Sequence, residues 1–272
     1  MPVAAVVNLE ALADGHVEGG FARAIHSLWH EHLAQVAPQA GQVLQHQSQT
    51  QPFTLSDLMG PRASPTGGGR VAAGDRAWFR VTVLESTLAT ALTGDWLPGL
   101  LGQHKTLAGI PWAVLAYSLF PAQHHWAGQE SYGSIWHRAQ DRATGIDNWQ
   151  FRFRSPTTFH AGQKAHLPFP LPDSLIKSWL RRWNAFNDIA QPWQWPAHWR
   201  KSLVVSGYGL RTVPVRYGRQ LRIGCIGWYG LRALNLPPEE RAIINALADY
   251  AFYCGSGHHT TQGMGLTRRQ ST

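Results

Sequence analysis

Cysteines, acidic residues and long apolar runs are all scarce in this sequence, and each scarcity argues against a class of protein. Cys225 and Cys254 are the only cysteines and show no CxxC or other paired spacing, so we expect neither a disulfide framework nor a zinc ribbon. Asp and Glu number only 16 and form no DxD-type group. A metal-dependent nuclease with clustered carboxylates is therefore the weakest interpretation.

No apolar run reaches about 18 residues, the length that indicates a membrane-spanning helix. The first ten residues have no basic segment ahead of an apolar stretch, unlike a secretory signal. We therefore expect a soluble protein of the cytoplasm. With 272 residues, of which 44% are hydrophobic, the chain can form one large domain or two of ordinary size.

Basic residues are plentiful and unevenly distributed. Lys and Arg total 24, of which 20 are Arg, and the formal net charge is +8. Residues 150–235 contain thirteen Arg or Lys, with Asp173 and Asp188 as the only acids. Such a field attracts polyanions, and the planar guanidinium suits phosphate and base edges better than an ammonium group does. The charge indicates a nucleic-acid partner; a basic surface kept for solubility is the alternative.

The spacing of apolar residues predicts the element order β-α-β-β-α-β twice along the chain. In the first half we expect strands at 3–9, 78–84, 112–120 and 149–154, with helices at 21–36 and 131–140. In the second half we expect extended segments at 157–163, 204–217, 221–234 and 260–268, with helices at 173–186 and 237–254. This order predicts an α+β protein with two tandem ferredoxin-like (RRM-like) βαββαβ domains, at 1–155 and 156–272.

A glycine-rich segment, CGSGHHTTQGMGLTRR at 254–269, lies between the last predicted helix and strand. Glycine lets backbone amides approach a phosphate chain without a side chain in the way. The segment is not a dinucleotide-binding fingerprint, because it lacks the third glycine and follows a helix, and it contains no Gly-Lys-Ser/Thr of a Walker A loop. From spacing alone, glycines needed only for turns explain it equally well.

This tail resembles the C-terminal glycine-rich loop of the CRISPR-associated RAMP superfamily, in particular the endoribonuclease that processes precursor CRISPR RNA. Further motifs agree with that family in order and spacing. They are LQH at 44–46 followed by QPFTLS at 51–56, FRSPTTF at 153–159, PFPLP at 168–172 leading into SWLRRWNAF at 178–186, and GWYG at 227–230. The resemblance extends from about residue 44 to 269 and is weakest between 60 and 126.

The resemblance implies a cut within each CRISPR repeat that needs neither metal nor another cofactor. The 2′-hydroxyl of the upstream nucleotide attacks the adjacent phosphate and leaves a 2′,3′-cyclic phosphate and a 5′-hydroxyl. The implied partner is CRISPR repeat RNA or precursor crRNA, with subunits of a CRISPR effector complex as a further partner. We expect no membrane association and a monomer or homodimer.

That chemistry needs proton carriers, for which His is suited because its ordinary pKa lies near neutrality. His46 is the first catalytic candidate, because the family places its histidine in this region. His26 is the second; it lies four residues before His30, on one face of the first helix. Zinc binding by this pair is disfavoured, since no third ligand has a characteristic spacing.

The sequence departs from the family in lacking a tyrosine on the first helix and a lysine beyond the histidine, because Tyr117 and Lys105 are the first of their types. The cation that stabilises the phosphorane would then be an arginine, such as Arg23 or Arg70.

RNA binding is assigned to the glycine-rich segment and to the predicted helix at 173–186. The candidates are Gly255, Gly257, His258, Gly263, Gly265 and Arg268, together with Arg181 and Arg182. Trp179 and Trp183 keep the apolar period of that helix and are predicted core residues. Arg152 and Arg154 alternate with aromatic residues on a strand, so we expect them to be exposed.

Two alternatives share the RNA-binding features. The first is a non-catalytic RAMP subunit that holds crRNA in an effector complex and needs no histidine near the RNA. The second is a general single-strand RNA-binding module, which should carry an aromatic pair on a central strand; no such signature is seen in the sequence.

Overall fold

The protein was analysed as a computed structural model that describes residues 1–17, 19–46, 50–60, 69–160, 162, 166–189, 192–217 and 220–270. Within these ranges the chain is α+β and forms two compact units. The first comprises Met1–Gln129, Pro214–Arg222 and Thr261–Gly263. The second comprises Glu130–Val213, Ile223–Thr260 and Met264–Thr272.

The first unit is built on an antiparallel sheet. Its strands are β1 Val3–Ala11, β2 Gly15–Val17, β3 Phe53–Leu55, β4 Gly69–Val71, β5 Arg76–Val83, β6 His104–Leu107, β7 Ile110–Ser118 and β8 Gly128–Gln129. Its helices are α1 Ala22–Val36, α2 Pro38–His46, α3 Ser86–Ala91 and α4 Leu97–Leu100, with a π-helical turn at Leu92–Trp96 between the last two. The sheet order is β3-β5-β1-β7-β6, with β8 paired to β1 and a separate β2-β4 ribbon.

The central strand β1 is almost wholly apolar, which suits a strand that is covered on both faces. Helix α1 turns Ile25, Trp29 and Leu33 to the core, the period expected of one helix face. Trp29 packs against Trp96 of the π-helical turn, with ring centroids 5.3 Å apart. Residues 86–100 thus supply a helical layer that the apolar pattern did not predict.

The second unit repeats this plan. Its strands are β9 Asn148–Thr157, β10 Phe159–His160, β11 His166–Leu167, β12 Leu203–Tyr217, β13 Gln220–Ala233 and β14 Thr267–Gln270. Its helices are α5 Tyr132–Asp141, α6 Pro172–Phe186, α7 Trp199–Ser202 and α8 Pro238–Cys254. The main sheet has the order β12-β13-β9-β14, and β10 pairs with β11 as a hairpin.

Strand β9 shows the alternation that its sequence predicts. Trp149 and Phe151 are fully buried, whereas Arg152 and Arg154 are exposed on the opposite face. The Trp149 indole N–H donates to Asn245 Oδ1 of α8 at 2.7 Å, so this buried polar group is paired. The predicted core positions Trp179 and Trp183 of α6 are also fully buried.

The tandem ferredoxin-like prediction is confirmed, because both sheets place the four strands of a β-α-β-β-α-β unit in the same order. In each, the first strand lies between the fourth and the third, and the second lies beyond the third: β7-β1-β5-β3 and β14-β9-β13-β12.

The assignment of strands to the two repeats differs from the prediction. The short strand β3 is the second strand of the first unit, and β7 is its fourth. Strand β9 is the first strand of the second unit. Ser155, where the boundary was predicted, therefore lies inside a strand, and the units divide after Gln129. The three-residue β3 is too short for its alternation to be recognised, so the prediction missed it. Each later strand of the first unit was therefore assigned one position too early in the repeat.

No helix in the described ranges is long and apolar enough to cross a membrane.

Candidate nucleic-acid interface

A pair of histidines lies on α1 in the first unit. His26 and His30 are four residues apart, and their ring centroids are 4.5 Å apart. Both rings also lie near Phe53 at the start of β3, at centroid distances of 6.2 Å and 5.6 Å. Both are partly buried, so the predicted pair is a real cluster with some access to solvent.

Burial lowers the pKa of both histidines, and the neighbouring His26 lowers the pKa of His30 further. Both rings are therefore mainly neutral near pH 7, because desolvation disfavours the charged imidazolium. A neutral imidazole can accept a proton from a hydroxyl, which is what a general base must do.

His46 ends α2, but its side chain lies outside the described residues. Arg23 is exposed on α1 and Arg70 is exposed on β4. In the described part of the chain, no hydrogen bond or ion pair joins Arg23 or Arg70 to His26 or His30. The cation of the predicted chemistry therefore stays unassigned.

The glycine-rich segment follows α8 and adopts backbone conformations that require glycine. Gly255, Gly257, Gly263 and Gly265 all have positive φ, between 65° and 85°. A Cβ on Gly257 would lie 2.1 Å from the Thr158 carbonyl oxygen. Glycine is therefore required here by conformation and packing.

The amides of these four glycines all donate within the protein. Gly255 donates to the Ala251 carbonyl, Gly257 to the Ser178 hydroxyl, Gly263 to the Leu55 carbonyl and Gly265 to the Pro156 carbonyl. A backbone amide has a single hydrogen, so these four are not available to bind a phosphate. These four amides therefore do not supply the expected contacts to phosphate, and RNA binding by this segment stays a prediction.

Two adjacent arginines of α6 have different roles. Arg182 is buried, and its guanidinium donates to the carbonyls of Ser178 and Gly257 and to the Thr260 hydroxyl. It therefore holds the loop from the protein interior, and it is too buried to contact a ligand directly. Arg181 is exposed beside it and makes no ion pair among the described residues.

Four histidine rings cluster where the loop meets the β10-β11 hairpin. The centroid of His258 lies 5.3 Å from that of His160, 6.2 Å from that of His166 and 5.4 Å from that of His259. Burial, then Arg181, His160, Arg182 and His166, lower the pKa of His258 to about 4. His160 and His166 were not predicted. Their only sequence signal is their position between two motifs: His160 directly follows PTTF at 156–159, and His166 lies just before PFPLP at 168–172.

A cavity of about 290 Å³ opens beside this cluster. It is lined by Phe159, His160, Asp173, Ser174, Lys177, Ser178, Arg181, Gly257 and His258. The lining brings Arg181, Gly257 and His258, three of the predicted RNA-binding residues, into one site in the second unit.

Arg268 lies on the exposed face of the second sheet. Strand register places it opposite Arg152, which in turn is opposite Trp228 on β13. Its guanidinium carbon is 5.9 Å from the centroid of the Phe252 ring. Trp228 of the GWYG motif is an exposed aromatic residue on a central strand, and the sequence analysis did not predict this exposure. A single exposed tryptophan differs from the aromatic pair expected of a general RNA-recognition motif.

Over the residues that the structure describes, no three His, Cys, Asp or Glu side chains are arranged to hold a metal ion. Both cysteines are buried, and neither is in a disulfide.

Family models match both halves of the chain. One described as the CRISPR Cas6 N-terminal domain matches residues 1–137, and one described as CRISPR-associated endoribonuclease Cas6 matches residues 151–267. No curated protein sequence matches the chain significantly.

Solved structures agree with the family models. A Cas6 product complex is 28% identical with a TM-score of 0.75, covering 99% of each chain. The same protein with a substrate mimic is 26% identical, with a TM-score of 0.72 and 99% coverage of each chain. A second Cas6, from Thermus thermophilus, is 24% identical in its product complex. That complex has a TM-score of 0.75 over 99% of this chain and 100% of its own, and at this identity it supports the fold alone.

Proposed function

Because this chain belongs to the family of the CRISPR-associated endoribonuclease Cas6, we propose that it binds CRISPR repeat RNA and cuts precursor crRNA without a metal ion. The observation that carries the proposal is the match of family models to both halves, with a relative 28% identical that is complexed with its product. The cytoplasm is its proposed location, and a monomer or homodimer its proposed state.

The proposed reaction begins when a neutral histidine takes the proton of the 2′-hydroxyl. The resulting oxygen attacks the adjacent phosphorus, the bond to the 5′-oxygen breaks, and a protonated group supplies the proton to that leaving oxygen. The products are a 2′,3′-cyclic phosphate and a 5′-hydroxyl. Each proton transfer by a positioned side chain contributes about 10²–10⁴-fold to the rate.

We assign the first role, that of the base, to His26 and the second, that of the acid, to His46. His26 is supported by its partly buried ring and its lowered pKa, and the family resemblance supports His46 at the end of α2. His30, 4.5 Å from His26 between ring centroids, can replace His26 in this scheme. An arginine, Arg23 or Arg70, would stabilise the charge on the phosphorane.

Cleavage of a cognate repeat RNA in EDTA tests this proposal, beside the same RNA with a single 2′-deoxy at the scissile position. We expect cutting in the chelator and none of the deoxy substrate, because the nucleophile is then missing. Loss of cutting in EDTA would overturn the metal-independent mechanism. Tight binding of both RNAs without any cutting would instead support the non-catalytic RAMP subunit of an effector complex.

A further inference from the structure

Beside the histidine cluster, the cavity wall covers the buried guanidinium of Arg182, which no carboxylate among the described residues contacts. Arg182 is fully enclosed, and its hydrogen-bond partners are two carbonyls and one hydroxyl, all neutral. A buried charge without a counter-ion is costly. Ser178 and Gly257, whose carbonyls hold this guanidinium, both line the cavity. Residues that contact the Arg182 guanidinium therefore form part of the cavity wall, although Arg182 itself does not line the cavity.

The cavity wall adds further positive charge. Arg181 is exposed and unpaired among the described residues, and Lys177 lies one helical turn before it. Asp173 is the acid in the lining, and it is already paired with the Lys177 ammonium at 2.7 Å and the Arg200 guanidinium at 3.4 Å. The arginines at the cavity therefore have no acidic partner of their own in the described part of the second unit.

We propose that this cavity is an anion subsite that takes one phosphate group of the RNA backbone, with Arg181 as its direct ligand and Arg182 as the buried charge behind it. The inference rests on the proposed function for its ligand. A guanidinium presents two parallel N–H donors to a phosphate, which suits the exposed Arg181.

The histidines give the subsite a measurable signature. His258 faces Arg181 and Arg182 of α6, His160 and His166 of the hairpin and His259 of its own loop. Burial, followed by Arg181, His160, Arg182 and His166, lowers its pKa to about 4. A bound anion favours the imidazolium, so it must raise this pKa. By reciprocity, protonation of His258 must tighten anion binding as the pH falls.

Imidazole NMR of the full chain tests the proposal, with inorganic phosphate as the probe. On saturation we expect the pKa of His258 to move from about 4 toward its ordinary value of 6.5. His32 of α1 is the control: its ring is buried and hydrogen-bonded to the Trp96 carbonyl, and it is not among the residues that line the cavity. Its pKa should stay unchanged.

A repeat RNA made uncleavable by one 2′-deoxy serves as the second probe. If both phosphate and this RNA raise the pKa of His258, the subsite takes a backbone phosphate. If phosphate alone does so, the cavity holds free phosphate and the RNA assignment is wrong. If neither does, the subsite itself is wrong. EDTA-resistant cutting in that last case would leave the proposed function intact.

Variants of Arg181 provide an independent measurement. Arg181→Ala should weaken binding of the uncleavable RNA about tenfold and lower the slope of log Kd against log salt by about 0.7, the value for one lost contact with a single strand. Arg181→Lys should retain most of the affinity, because it keeps the charge. Arg142→Ala, an exposed arginine of the same unit outside the lining, should bind like the original chain. Equal affinity of Arg181→Ala and Arg142→Ala would contradict the proposal.

Discussion

At the scale of single residues, the environment of each histidine decides what it can do. His26 and His30 share a face of α1 and are partly buried, which lowers the pKa of both. The pKa of His258 is lowered to about 4 by burial and by the two arginines and two histidines around it. The first pair can therefore accept protons near neutral pH, whereas His258 stays neutral there unless a bound anion raises its pKa.

We expect His46→Ala to reduce single-turnover cleavage about 100-fold or more, because a positioned proton carrier is lost. His26→Ala should reduce the rate less, and it should also remove the fall in rate below pH 6.5. That fall follows from the lowered pKa of His26: a base stays neutral above its pKa and loses activity as the pH drops through it. A pH–rate profile of each variant measures both effects.

His104→Ala is the matched control, since His104 is exposed on β6 of the same unit. All three variants should bind the uncleavable RNA with the affinity of the original chain. Normal cleavage by His46→Ala would move the catalytic assignment to His26 and His30, and normal cleavage by His26→Ala as well would favour His30.

At the scale of elements, the glycine-rich segment and α6 are joined by hydrogen bonds. The loop amides donate to α8, α6 and the strands around them, and Arg182 holds the Gly257 carbonyl and the Thr260 hydroxyl from below. The loop is therefore rigid because its backbone hydrogen bonds are satisfied within the protein. Its function is to fix the positions of His258 and of the cavity wall.

Substitution of Gly257 tests this role. Gly257→Ala must adopt φ near +74° and place its Cβ 2.1 Å from the Thr158 carbonyl oxygen. We expect the free energy of unfolding to fall by much more than the cost of the left-handed conformation alone, which is about 1–2 kcal/mol. Urea unfolding measures the loss.

Gly162→Ala provides the control for conformation without collision. Gly162 has φ of +75°, and a Cβ there would meet nothing within 4 Å. The free energy of unfolding of Gly162→Ala should fall only by the cost of the left-handed conformation. Equal losses in the two variants would show that the close packing of the loop at Thr158 does not contribute to stability.

At the scale of the whole chain, charge is concentrated in the half that carries the loop. Residues 150–235 hold thirteen basic residues and two acids, within a net charge of +8. Arg152 and Arg154 expose part of this charge on β9, where Arg152 lies opposite Trp228 and Arg268. This surface suits a polyanion with bases available for stacking.

RNA affinity should therefore fall steeply with salt. Each phosphate neutralised on a single strand contributes about 0.7 to the slope of log Kd against log salt. We expect a slope above about 2, corresponding to at least three contacts, for the uncleavable repeat RNA. Arg152→Ala should lower the slope, whereas Arg142→Ala should not. A slope near zero would show that the basic half serves solubility and not RNA binding.

Much of the fold was determined by local sequence patterns. The period of apolar residues placed α1, α6 and α8, and alternation placed β9 with Arg152 and Arg154 outward. The glycine-rich segment, with the motifs before it, pointed to the family. These features depend on neighbours within a few residues, so they can be read without knowledge of the rest of the chain.

Tertiary structure alone decided how those parts are used. Arg181 and Arg182 are adjacent in sequence, but a helix turns about 100° per residue, so one faces solvent and the other lies beneath the loop. The acceptors of the glycine amides lie up to about two hundred residues away, as for Gly263 and Leu55. The cluster around His258 likewise joins a hairpin and a loop nearly a hundred residues apart. Such long-range contacts are set by the packing of the whole fold and leave no local pattern in the sequence.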